Sequence, residues 1–386
     1  MQKYITDTIR NNQRSLEKGL SVPQKKALTE LVRGLYTVGT PVLRHLAQDE
    51  EKSTKKQGEK YSHHLGNIDL ESKVEHFALK KAISDVKKDS IIAYDLTDIA
   101  KDCAKKMEKL SGVFDGSKRR GTVGYCLHGV GIHSNLVKLR VHDGDKYTQN
   151  QQRRFIVEEI SKKLKKKGIW VFDRGNDDKA FFRFLASKLK VRFIARLKGN
   201  RQVVVVKTGA LEKVQNMKPG KYRIQLLNRN NNKVEKQIYT LVIKKHLKDK
   251  APIRLITNLD YKRYSKNTLV TMYLERWGVE SIFRHLKTKF NLEKIRVLGY
   301  RKFINLIALI QFVSVCSVLI YRALQKSAAS FLSDISLYYK DFLRLKSLTL
   351  SIDSFVLFLR HSLKNYAPRE QSYHLQLNLL KKLGSF

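Results

Sequence analysis

Two short apolar runs in this sequence each end in an acid: Ile91-Ile92-Ala93-Tyr94-Asp95 and Ile169-Trp170-Val171-Phe172-Asp173. Between and after them the periodicity turns helical. Phe155 to Lys167 is amphipathic and closes at Gly168, and Asp178 to Lys190 is helical again. Val191 to Arg196 reads as a further strand, and Thr122 to Val141 has hairpin character, with Val, Tyr and Leu among glycines. Strands alternating with helices predict an α/β fold, with a first core segment over residues 90–196.

The flanking sequence has other textures. Residues 1–75 carry Ala27, Leu28, Leu31, Val32 and Leu35 at helical spacing and predict a helical N-terminal domain, with charged Gln48 to Lys60 as a loop inside it. Residues 197–252 are strand-and-turn sequence: Val203–Val206, Tyr222–Ile224 and Ile238–Ile243 are separated by Pro219-Gly220 and the polar Asn228–Asn232. Residues 198–250 hold 14 Lys/Arg against 3 acids, so this segment reads as a basic β insertion. A second core segment, 253–325, resumes at Ile253–Thr257 and enters one long helix from Lys266 to Lys289. Within it, Phe303 to Tyr321 approaches the length of a membrane span. Asn305, Gln311, Ser314 and Ser317 interrupt that run, which favours a buried core helix. Residues 326–386 predict a helical C-terminal tail.

Charge narrows the partners. The 386 residues include 77 Lys+Arg against 35 Asp+Glu, a net charge of +42. Such a chain repels itself unless a polyanion offsets the excess, and nucleic acid is the first candidate because each neutralised phosphate releases counterions. A membrane surface is the second, and an ordinary metabolic enzyme is disfavoured. Cys103, Cys126 and Cys316 offer neither a disulfide framework nor paired zinc spacing, which fits a reducing compartment. The opening Met1–Asp7 has no apolar h-region, so no secretory signal is expected.

In open α/β sheets, sites assemble at strand ends, which draws attention to Asp95 and Asp173. Either one alone is more often a turn or helix cap, so a third carboxylate is needed. On the expected long helix, Tyr273, Arg276, Glu280 and Lys287 fall within roughly 60° of one another at 100° per residue. A phenol, a guanidinium, a carboxylate and an ammonium on one stripe is not a core pattern. A solvated helix face with an Arg276–Glu280 pair is the plainer reading of the same residues.

The spacing Tyr-x2-Arg-x3-Glu-x6-Lys, met by Tyr273, Arg276, Glu280 and Lys287, resembles the signature of the insertion-sequence 4 type DDE transposases. Asp173-Arg174-Gly175 and Asp95-Leu96-Thr97 are similar to that family's two aspartate motifs. The resemblance covers about residues 90–320. It implies an RNase H-like core interrupted by an all-β insertion, and the 107 positions between Asp173 and Glu280 leave room for the basic segment. It also implies a Mg²⁺-dependent enzyme in which Asp95, Asp173 and Glu280 are catalytic and hold two ions, with Mn²⁺ as a substitute. Arg276 and Lys287 would hold phosphates near the transposon end, and Tyr273 would add a hydroxyl or stack on sugar or base. The expected partner is double-stranded DNA, both ends and target, bound by a homodimer in the cytoplasm of a bacterial-type cell, with no membrane. A DNA hairpin during excision is a further suggestion of the resemblance. A transposase-derived DNA-binding protein without catalysis, and a basic RNase H-like nuclease that cleaves without joining, remain alternatives.

Other candidates are weaker. His128, His133 and His142 near Cys126 lack zinc spacing and read as surface or structural residues. Asp177 and Asp178 read as helix caps, Trp277 as packing, and the five lysines of Lys162–Lys167 as a solvated face.

Overall fold

The computed structural model describes residues 2–47, 53–116, 118–133, 135–227, 233–245, 251–327 and 352–364. It opens with helices α1 (Gln2–Gln13), α2 (Val22–Thr37), α3 (Leu43–Leu46), α4 (Thr54–Gly66) and α5 (Glu71–Ile83). Strands β1 (Ile91–Ala100), β2 (Ser111–Asp115), β3 (Arg120–Ile132) and β4 (Asn135–Val141) follow. Helix α6 (Gln149–Lys163), strand β5 (Ile169–Phe172), helix α7 (Lys179–Arg183) and strand β6 (Arg192–Arg196) come next. The basic segment supplies β7 (Gln202–Val205), β8 (Leu211–Lys213), β9 (Gly220–Leu227) and β10 (Val234–Lys244). Strand β11 (Ile253–Thr257) leads to helices α8 (Lys266–Leu274), α9 (Trp277–Lys289) and α10 (Tyr300–Ser327). Apart from the end of α10 and a helix at Ile352–Lys364, the expected tail lies outside the described residues, as does Asn228–Asn232. The chain divides into two compact units: residues 1–78, 98–125 and 283–386 form one, and 79–97 and 126–282 form the other.

In the second unit the strands hydrogen-bond in the order β4-β3-β1-β5-β6-β11-β10-β9-β7-β8. The β1–β5 and β5–β6 pairs are parallel, which requires crossover connections, and α6 and α7 provide them. Strand β5 is buried at every position because both faces of the sheet are covered. Its even-numbered Trp170 and Phe172 pack with Ile92, Tyr94 and Phe193, with Ile156 and Ile160 of α6, and with Phe181 of α7. Odd-numbered Ile169 and Val171 pack with Ile91, Ile194 and Leu255, and with Leu269, Val270 and Tyr273 of α8. The strand period of two thus assigns every side chain on β1 and β5 to one face or the other.

Local chemistry sets the element ends. Helix α6 starts ahead of the apolar stripe because Thr148 and Gln151 form a reciprocal capping box. Gly168 sits at φ +87°, where a Cβ would come within 2.5 Å of Ile92 Cδ1, so the entry to β5 requires glycine. The basic segment does not fold apart from the core. Strand β10 pairs antiparallel with β11 from Thr240↔Thr257 to Lys244↔Ile253, and Ile224, Tyr239, Leu241 and Ile243 join the same apolar cluster as Phe172.

In the first unit, α10 is the one helix among the described residues long and apolar enough to cross a membrane, and 89% of that stretch is buried. Its polar residues have partners. Asn305 accepts from Leu70 N at 2.9 Å and donates to Leu65 O and Ile68 O at 2.8 and 2.9 Å, which satisfies the turn between α4 and α5. Ser317 donates to Val313 O, and the Tyr36 hydroxyl donates to the same carbonyl. The loop expected over Gln48 to Lys60 is corrected: residues 48–52 lie outside the described residues, and α4 begins at Thr54. Polarity alone does not break a helix. Gln57 takes an inward position at the spacing of Tyr61 and Leu65, and donates to Glu30 and to the Tyr61 hydroxyl.

Candidate active site

Tyr94 lies opposite Phe172 across the parallel β1–β5 pair. Asp173 follows the last residue of β5 in extended conformation, as expected, whereas Asp95 lies in the middle of β1, which runs on to Ala100 rather than ending at the acid. Two carboxylates therefore leave neighbouring strands about 4.8 Å apart. Both are odd-numbered positions, on the face where Ile91, Ile169 and Val171 meet α8.

The single helix expected from Lys266 to Lys289 is broken. Helix α8 ends at Leu274, α9 begins at Trp277, and Glu275 and Arg276 form a turn between them. The one-stripe argument for Tyr273, Arg276, Glu280 and Lys287 fails with it, because an angular position is not carried through a turn. The only sequence signal at this corner is Gly278, a poor helix former amid good ones.

The corner does something a straight helix would not. Arg276 donates from Nη1 to Asp95 Oδ2 at 2.8 Å and from Nη2 to Glu280 Oε1 at 2.5 Å. Its guanidinium lies 5.8 Å from the centroid of the Tyr273 ring. Burial opposes the guanidinium's charge, and the Asp95 and Glu280 carboxylates more than offset that. Tyr273 is 3% exposed among the apolar residues beneath, so the expected stacking on sugar or base would need this ring uncovered. Lys287, in the first unit, donates to Asp98 O at 2.8 Å and pairs with Glu293 at 2.9 Å. Trp277, expected to pack, is instead 58% exposed.

Burial pushes the Asp95 carboxyl up to about 6; Arg276 works against this, and the charges of Asp173 and Glu280 add to it. Asp173 is held from behind by residues that the sequence did not single out. Asn176 donates to Asp173 Oδ1, and Arg153 donates to Asn176 Oδ1 at 2.7 Å while its guanidinium stacks 3.9 Å from the Phe181 ring centroid. Nothing local distinguishes Arg153 from the other cations of α6; only the tertiary contact does. Asp178 caps α7 through Ala180 N, as expected. Asp177 is more than a cap: its buried carboxylate accepts from Arg201 at 2.6 Å and from Lys198 N at 2.8 Å, tying down the start of the basic segment. His128 is a core residue, 2.7 Å from the Tyr94 hydroxyl, and burial pushes its imidazole down to about 3.

Among the described residues, no group of three or more His, Cys, Asp or Glu side chains is gathered closely enough to hold a metal ion. Glu280 Oε1 accepts instead from Arg276. The donor chemistry still fits a hard divalent cation. Asp95 and Asp173 are hard oxygen donors, and the charges of Asp173 and Glu280 both bear on the buried Asp95 carboxyl.

No curated protein sequence matches this one. The family profile described as the transposase DDE domain matches residues 87–316, a span that contains Asp95, Asp173, the Arg276 corner and Glu280. The chain therefore belongs to the transposase DDE domain family.

Proposed function

We propose that this protein is a cut-and-paste DNA transposase of the insertion-sequence 4 type. In this reading it nicks the ends of a mobile element and joins them to target DNA, with Asp95, Asp173 and Glu280 as its catalytic carboxylates. The observation that carries the reading is that Asp95 and Asp173 directly follow the paired residues Tyr94 and Phe172, with Glu280 joined to Asp95 through Arg276. The order β4-β3-β1-β5-β6, antiparallel at β3–β4 and parallel from β1 to β6, supports an RNase H-like core with β7–β10 inserted.

The three carboxylates would hold Mg²⁺, or Mn²⁺ in its place, and such ions supply Lewis-acid stabilisation of phosphoryl oxygens and activate water or a 3′-hydroxyl. The chain's own residues do the rest. Arg276 keeps two like charges together while the site is without substrate. A DNA phosphate offers its guanidinium fork a competing anion, so substrate entry frees Glu280. Lys287 adds a second phosphate contact, and Tyr273 supports the guanidinium from beneath. The +42 net charge draws duplex DNA to a homodimer.

The test is a nicking and strand-transfer assay on DNA carrying the element's ends, with Mg²⁺ or Mn²⁺, alongside a gel shift. Wild-type protein is expected to nick and join. Glu280→Gln is expected to bind ends and do neither. Nicking without joining would assign the nuclease reading, and binding alone would assign a DNA-binding descendant. Wild-type cutting rates in Glu280→Gln would remove Glu280 from the site.

A further inference from the structure

A cleft of about 260 Å³ opens in the second unit between α6 and the stretch that follows Asp173. Arg154, Ala180, Arg183, Phe184, Ser187 and Lys188 line it. Half of these residues are cations and one is aromatic. The Arg154 guanidinium lies 5.6 Å and Lys188 Nζ 5.9 Å from the same Phe184 ring centroid. The backbone here is unusual: Phe184–Leu189 is a π-helix, closed by Lys190 at φ 54°. π-turns are rarer than α-turns and recur at functional sites. Phe184, Ser187 and Lys188 all belong to this one.

The cations are incompletely neutralised. Arg154 reaches Asp178 only at 3.8 Å, and Arg153 takes the same oxygen at 3.4 Å. Arg183 meets Glu235 at 3.5 Å. Lys188 pairs with no carboxylate among the described residues, and there too Arg154 Nε is buried without a hydrogen-bond partner. Arg183, Ser187 and Lys188 are exposed.

We propose that this cleft grips a backbone phosphate of bound DNA, with the adjoining sugar or base against Phe184, at a place distinct from the carboxylates. The identity of the DNA rests on the transposase reading; the cleft's chemistry does not. Guanidinium groups present paired donors to phosphate oxygens, Ser187 adds a hydroxyl, and an aromatic face accepts any base. The cleft is open and smaller than the roughly 300–1,000 Å³ of an ordinary small-molecule pocket, which suits one phosphodiester unit of a longer strand. Its place fits this role. On α6, Arg153 turns to Asn176 and so to Asp173, while the next residue, Arg154, lines the cleft.

The experiment measures Kd for a labelled duplex by fluorescence anisotropy across a salt series. Arg183→Ala/Lys188→Ala is expected to lower the log–log salt slope by about 0.9 to 1.8, one or two phosphate partners. Ser187→Glu should weaken binding likewise, and Arg183→Lys/Lys188→Arg should keep the wild-type slope. An unchanged slope in both the double alanine variant and Ser187→Glu overturns the cleft, even where the wild type nicks DNA normally. A lowered slope in a protein that never nicks keeps the cleft and overturns the transposase reading alone. Binding of a mononucleotide that the variants abolish, with no change in DNA slope, would assign the cleft to a free nucleotide and overturn the proposal.

Discussion

Arg276 ties two of the candidate carboxylates together. Its fork takes one oxygen from Asp95 and one from Glu280, which a single ammonium cannot do at the same two positions. Arg276→Lys is therefore expected to lower the nicking rate by about tenfold or more, with the fold intact by circular dichroism, since about 1.4 kcal/mol corresponds to each factor of ten. Tyr273 beneath it separates packing from DNA contact. Tyr273→Phe keeps the buried ring and is expected to leave both DNA affinity and Tm near wild type. Tyr273→Ala should cost about 3–5 kcal/mol of stability, as for other large buried side chains. A Tyr273→Phe protein that folds normally and loses end binding would return the hydroxyl to the DNA. His128 yields a pH prediction of definite sign. Its imidazole is pushed down to about 3 in the folded protein, so between there and its unfolded value near 6.5 only the unfolded chain takes up the proton. The contribution is fully present above about pH 6.5 and is lost at about 1.4 kcal/mol per unit as pH falls toward about 3. Urea unfolding of wild type and His128→Gln from pH 7 to pH 4 should show a shallower loss in the variant. Parallel curves would mean that the buried imidazole is not the titrating group.

Among the elements, β1 and β5 were legible and the helix after β11 was not. A run such as Ile169–Phe172 followed by an acid carries its own instructions, because strand length and apolar continuity are local properties. The break at Glu275–Arg276 has no such local cause. Every residue there except Gly278 tolerates a helix, and the corner is held by a bond to Asp95 on a distant strand. The same break separates the roles along α9. Lys287→Ala should weaken end binding by about 1–3 kcal/mol while residual nicking persists, because it removes a charged donor and no carboxylate. Equal loss of binding in Glu280→Gln and Lys287→Ala would argue against that division. The basic segment also changes meaning. As strands of the core sheet, β9 and β10 cannot be deleted without uncovering Phe193, Ala195 and Ile256 of the same apolar cluster. Its role in DNA binding is better tested by Lys207→Gln/Lys213→Gln/Lys218→Gln on exposed positions. Each lysine that neutralises a phosphate should, when replaced, flatten the salt slope by about 0.9, and an unchanged slope would show that this edge of the sheet does not meet DNA.

For the molecule as a whole, stability and charge pull in opposite directions. A chain of +42 is compressed against its own repulsion, so duplex DNA is expected to raise Tm well beyond what added salt does. A scanning calorimetry trace unchanged by saturating duplex would contradict that. The compensating cohesion in the first unit centres on α10. Asn305→Ala leaves Leu70 N, Leu65 O and Ile68 O without their partner and is expected to cost about 1–3 kcal/mol, although it removes only a small polar side chain.

The amino-acid sequence alone determined the alternation of strands and helices, an aspartate after each of two apolar runs, the cation excess and the spacing of Tyr273, Arg276, Glu280 and Lys287. Each of these is a property of a short window or of composition. Tertiary structure decided that β1 pairs with β5 just before Asp95 and Asp173, that Arg276 turns inward to bridge Asp95 and Glu280, that Tyr273 is covered, and that Arg153 and Asn176 back the second aspartate. Those features depend on groups brought together from distant parts of the chain. Their energies come from contacts and burial that no local stretch of sequence contains.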